Sequence, residues 1–136
     1  MPLVRIDYND SRTPEQARRI ADAVHQALVA VLAIPARDRF QILTPHRGGE
    51  IIALDAGLGF ERTPGVVIVQ IFTQRGRDIT VKQDLFRSLA AHLEPVGVHG
   101  PDLFIGISEN APQDWSFGFG AAQYVTGELA AVSADD

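Results

Sequence analysis

Four groups of residues in this 136-residue chain carry side chains or backbone groups suited to chemistry. Pro2 follows the initiator methionine, and removal of Met1 would leave a free secondary amine. An α-amino group titrates near pH ~8, so a sheltered one can serve as acid, base or nucleophile. The plainer reading is an idle amine. Arg75-Gly76-Arg77 offers two guanidinium forks separated by one glycine, suited to gripping a single carboxylate; a solvated turn, or salt bridges across subunits, would use the same residues. Asp38, between Arg37 and Arg39, is a surface ion-pair residue unless Pro2 approaches it. Last, Asp114-Trp115-Ser116-Phe117-Gly118-Phe119-Gly120, followed by Tyr124, alternates rings with small residues, as a pocket wall or a subunit contact would.

Other chemistries have little to work with. The chain has no Cys, which excludes disulfides, thiolate metal sites and Cys nucleophiles. His25, His46, His92 and His99 show no metal spacing, and those falling on helices suit solvated or core roles. Gly57-Leu58-Gly59 reads as a turn without the third glycine of a dinucleotide loop. No nucleophile-elbow serine and no phosphate loop is present. The expectation is chemistry without metal or organic cofactor. A net charge of -5, with 12 Lys plus Arg against 17 Asp plus Glu, argues against nucleic acid as a partner. All the basic residues except Lys82 are Arg, which favours bidentate anion contacts. The longest apolar run, residues 27–34, falls far short of the ~20 residues a membrane span needs, and the start lacks a signal-peptide pattern. A soluble, cytoplasmic protein is expected.

The elements that must position these groups follow from periodicity. Leu3 to Tyr8 alternates as a strand. Thr13-Pro14-Glu15-Gln16 supplies an N-cap, a Pro at the first helical position and a Gln able to close a capping box. Ala17, Ile20, Ala21, Val24, Ala27, Leu28 and Val31 recur at helical spacing, so a helix of about five turns should end before Pro35. Arg39 to Leu43 is a second strand. The order then repeats: Val66 to Phe72 is an apolar run expected to be a strand buried on both faces. Leu85, Phe86, Leu89, Ala90 and Leu93 mark a helix, and Asp102 to Ile107 a returning strand. A shift of 64 residues carries Leu3 onto Val67 and Arg39 onto Leu103.

The expected fold is therefore α/β (α+β in some schemes): one domain, residues 1–136, built of two tandem β-α-β units at about 2–44 and 66–108. Strands within each unit are parallel, and four strands form one sheet with two helices on one face. The other face is apolar and bare, so self-association should cover it. Residues 45–64 form a long connection with short strand material at Ile51 to Leu54. Residues 114–129 form an aromatic C-terminal segment, and 130–136 a loose acidic tail.

The double β-α-β unit beginning Met1-Pro2 resembles the tautomerase superfamily, and within it the malonate semialdehyde decarboxylases. The matching stretches are Pro2, Pro35 to Gln41, Gly57 to Gly59 with Arg62 and Thr63, Arg75 with Arg77, Asp114 to Gly118, and Thr126 to Leu129. The resemblance covers nearly the whole chain. It implies a homotrimer acting on a small carboxylate without a cofactor. It also implies a cationic Pro2 with Asp38 beside it, Arg75 and Arg77 on the substrate carboxylate, and a wall of Trp115, Phe117, Tyr124 and Leu129. Gly76 stands where the family leads to proline, and Tyr124 where it leads to phenylalanine. The implied reaction is decarboxylation of a 3-oxo acid such as malonate semialdehyde to acetaldehyde and carbon dioxide. Two alternatives remain: a keto-enol tautomerase or a hydratase/dehalogenase of unsaturated acids using the same proline, and a non-catalytic trimeric binding protein.

Overall fold

The computed structural model describes residues 2–131; the rest of the expected tail, 132–136, lies outside the described residues. In chain order the main elements are β1 (Pro2–Asn9), α1 (Pro14–Leu32), β2 (Phe40–His46), β3 (Val67–Gln74), α2 (Ile79–Leu93), β4 (Leu103–Asn110) and the short helix α3 (Gln123–Thr126). The sheet order is β2-β1-β3-β4. β1 pairs parallel with β2 and β3 parallel with β4, while the central pair β1·β3 is antiparallel. The antiparallel central pair thus relates the two β-α-β units by an approximate two-fold.

Local chemistry sets the helix ends. The Thr13 hydroxyl accepts from the Gln16 N–H at 3.1 Å and the Gln16 side chain accepts from the Thr13 N–H at 2.8 Å, closing the capping box. α1 stops where Ala33 takes a left-handed conformation (φ 54°) and its N–H bonds the Val29 carbonyl. At α2 the Asp78 carboxylate caps the Val81 N–H. One face of each strand meets the helices. Val4, Ile6, Val67, Val69 and Ile71 are buried there against Ile20, Val24, Leu28, Leu85, Leu89 and Leu93. Full burial of each such side chain contributes about 1.5–3 kcal/mol.

Two expectations are corrected. β3 is not covered on both faces within one chain: Ile68 and Phe72 are half-buried and Gln70 is exposed on the face without helices. Phe40, Ile42 and Phe104 on that same face are 41%, 41% and 48% exposed. Ile51 to Leu54 forms no strand, because among the described residues no strand of this chain pairs with it; Ile52 and Leu54 face solvent. The long connection is nevertheless fastened. The buried Asp102 carboxylate accepts from the Thr63 N–H at 2.7 Å and from its hydroxyl at 2.5 Å. Arg12, close to Asp102, donates to the Gly65 and Gly97 carbonyls. Arg62 donates to the Leu54 and Pro101 carbonyls and lies over the Phe60 ring. Among the described residues no helix is long and apolar enough to cross a membrane.

Candidate active site

The antiparallel central pair decides where the site forms. It brings the starts of β1 and β2 to the same sheet edge as the ends of β3 and β4. That edge therefore carries Pro2, Phe40 with the preceding Asp38, Thr73 with the following Arg75-Gly76-Arg77, and Asn110 leading to Trp115.

Pro2 is buried and sits opposite Thr73 in the β1·β3 register. The Arg77 guanidinium donates from Nη1 to Thr73 Oγ1 at 2.9 Å, which ties that cation to Pro2's cross-strand partner. Burial lowers the Arg77 pKa, opposed by the charges of Tyr124, Asp38 and Glu109. Gly76 makes this path possible, with φ of 136°, a conformation proline cannot reach because its ring fixes φ near about −65°. Arg75 takes a different course. Its N–H bonds the Asn110 carbonyl at 2.7 Å, and the residue as a whole is exposed. Arg77 joins the site from its own chain; Arg75 stands at its edge.

Asp38 is held by a turn whose closing bond runs from its N–H to the Pro35 carbonyl at 2.9 Å. Burial pushes its carboxyl pKa up, against the positive charges of the amino terminus, His25 and Arg77. The parallel register of β1 and β2, with Leu3 opposite Phe40, puts Asp38 and the start of β1 at the same end of the sheet. The Tyr124 hydroxyl belongs to the same cluster: burial raises its pKa, the Asp38 charge raises it further, and Arg77 opposes both.

The wall is a chain of rings centred on Phe117. Trp115 stacks on it at 5.7 Å, Tyr124 meets it edge-on at 5.4 Å, and Phe40 lies tilted at 5.8 Å. A cavity of about 520 Å³ is lined by Pro35, Arg37, Asp38, Phe40, Phe117, Tyr124, Leu129 and Ala130. Trp115 is not among the lining residues; its indole N–H donates to Asn110 Oδ1 at 2.6 Å, and it backs Phe117. A smaller hollow elsewhere carries no comparable set. The groove between Arg19, Gln26, His92 and Val96 encloses about 450 Å³ on the helix layer, away from the sheet edge.

Several residues at this edge escape a reading of the sequence. Phe40 reads only as a strand residue, although its place two residues after Asp38 was a usable hint. Thr73 reads as part of a polar joint. Gln123 is buried, and its amide accepts from the Phe117 N–H at 2.9 Å while donating to the Gly118 carbonyl at 3.0 Å. It thereby fixes the turn from which Phe117 projects. Among the described residues, no three His, Cys, Asp or Glu side chains gather as a metal site would require. The arrangement suits a small anion: one cation beside the strand bearing Pro2, one carboxyl, one phenol, and an apolar lid.

Known proteins resemble this chain in sequence and fold. Two family models, each described as a tautomerase enzyme, match residues 38–118 and 2–60. The probable tautomerase YrdN of Bacillus subtilis (strain 168) is 38% identical over 130 residues, covering 95% of this chain and all of that protein. A crystal structure of FG41 malonate semialdehyde decarboxylase inhibited by 3-bromopropiolate is 65% identical. It superposes with a TM-score of 0.93 over 95% of this chain and 98% of that one. A second malonate semialdehyde decarboxylase, studied for its decarboxylase and hydratase activities, is 35% identical, with a TM-score of 0.90 over 94% and 99% of the two chains.

Proposed function

The chain belongs to the tautomerase family of enzymes, and from that premise we propose that it decarboxylates a small 3-oxo acid, malonate semialdehyde, to acetaldehyde and carbon dioxide. The observation that carries the reading is the bond from Arg77 to Thr73, which sets a guanidinium beside the strand partner of Pro2 within the electrostatic reach of Asp38. The 65% identity to a malonate semialdehyde decarboxylase supports it.

In this reading Met1 is removed and the Pro2 amine is the working group. Asp38, as carboxylate, keeps that amine protonated by opposite charge. Arg77 grips the substrate carboxylate and Arg75 adds positive charge at the mouth. The carboxylate is thereby held with its breaking carbon–carbon bond perpendicular to the plane of the β-carbonyl. The protonated amine polarises that carbonyl by a hydrogen bond; in the covalent variant the amine first gives its proton to Asp38, adds to the carbonyl and loses water to form an iminium, which water hydrolyses after carbon dioxide has left to free acetaldehyde and Pro2. The electron pair of the broken bond enters the polarised carbonyl, carbon dioxide leaves, and the enol or enamine takes a proton at carbon. Phe117, Tyr124 and Leu129, with Trp115 behind, exclude water and so weaken the solvation of the departing carboxylate.

We include in the same proposal a cytoplasmic homotrimer. The half-exposed Phe40, Ile42 and Phe104 on the face without helices support self-association. A keto-enol tautomerase with a neutral Pro2 is the second reading, favoured by the probable tautomerase relative. Trimmed protein incubated with malonate semialdehyde, with acetaldehyde and carbon dioxide followed over time, separates the two. Stoichiometric release of both products supports the first reading. Turnover of enol substrates without carbon dioxide release from malonate semialdehyde favours the second.

A further inference from the structure

We infer that His25 is a positioning residue of this site: it holds, through the Ala36 carbonyl, the turn that carries Asp38 at the sheet end where β1 starts. The inference rests on the reading of Pro2 and Asp38 given above.

His25 lies on the buried stripe of α1, only 8% exposed. Its Nε2 is 2.8 Å from the Ala36 carbonyl oxygen. A carbonyl only accepts, so Nε2 carries the proton. Residues 35–38 form a tight turn closed by the Asp38 N–H on the Pro35 carbonyl. That bond fixes the shape of the turn but not its seat on the protein. The chain is anchored on either side, by Ile34 in the core and by Arg39 on Asp22, but Pro35, Ala36 and Arg37 between them are all exposed. The His25 bond ties this exposed turn to the helix layer two residues ahead of Asp38. A buried imidazole on an otherwise apolar helix face is costly unless its polar atoms are used; a leucine would fill the stripe and lose the tie. His25 also faces Asp38 electrostatically, together with the amino-terminal charge ahead of β1, Arg77 ahead of α2, and Tyr124 on α3.

Moving a reacting group by about 1 Å costs on the order of a hundredfold in rate, so releasing the turn should be visible in catalysis. The test uses Met1-trimmed protein and three variants: His25→Leu, His25→Gln and His25→Asn. Gln offers an amide N–H near the position of Nε2; the shorter Asn does not reach it. Leu and Asn should lower kcat on malonate semialdehyde about a hundredfold with KM changed less than about twofold, and lower the pKa of the Pro2 amine measured by nitrogen-15 NMR. Gln should restore most of both. Asn decides the matter where Leu does not fold. Folded Leu or Asn protein with wild-type kcat and amine pKa, whatever its melting temperature, would overturn the inference, as would Gln behaving like Leu. A wild-type protein inactive on malonate semialdehyde would remove the decarboxylase reading alone, because the amine pKa series still decides the role of His25.

Discussion

The two arginines flanking Gly76 should not be equivalent. Arg77 is half-buried, bonded to Thr73, and within the electrostatic reach of Asp38 and Tyr124; Arg75 is exposed. Replacing each by methionine keeps the length of the side chain and removes its charge. A hydrogen bond to a charged group is worth about 1.5–3 kcal/mol, and a fork loses up to two of them. Taking about 3 kcal/mol for Arg77→Met, and about 1.4 kcal/mol per factor of ten, kcat/KM should fall about a hundredfold. Arg75 is exposed, and a solvent-screened charge contact is worth at most about 1 kcal/mol, so Arg75→Met should cost about fivefold or less. Steady-state acetaldehyde release gives kcat/KM, and a thermal melt of each variant checks that the fold survives. Equal losses, or a larger loss at Arg75, would refute the assignment of Arg77 as the principal anion anchor.

Asp38→Asn should abolish most of the activity while raising the melting temperature at neutral pH. Burial holds the Asp38 pKa above its unfolded value, so the folded chain binds that proton more tightly. The associated stability is present at low pH and is lost as pH rises through the unfolded and then the folded pKa. Asn removes that loss, so melts of the two proteins across pH should diverge above the carboxylate range and converge in acid. Asp102→Ala should destabilise by about 3–5 kcal/mol, as expected when a buried charge network loses its carboxylate, because it frees both Thr63 donors and leaves Arg12 beside an empty space. Urea unfolding measures this, and a change below about 1 kcal/mol, the scale of a single ordinary hydrogen bond, would contradict the fastening role.

The fold was legible where short-range rules act alone. The Thr13 capping box and the stop before Pro35 each depend on neighbours in sequence, and each is met in the structure. Strand ends were read short: β2 runs on to His46 and β4 to Asn110, because register with a partner strand extends pairing into polar residues. Ile51 to Leu54 has strand composition and no strand partner in the chain, and composition cannot supply one. At the site, residues of distinctive type, such as Asp38, Arg77 and Phe117, stood out. Thr73, Gln123 and His25 did not, because their roles come from partners reached across the sheet, around a turn or from a helix. Arg75 and Arg77 look alike in sequence and are separated only by the backbone turn at Gly76.

The central claim is that Pro2 works as a cation, and its own titration tests that most directly. Nitrogen-15 NMR of Met1-trimmed protein across pH should give an amine pKa clearly above neutral, held there by Asp38. A pKa at or below neutral would contradict the decarboxylase account and leave Pro2 as the base of a tautomerase.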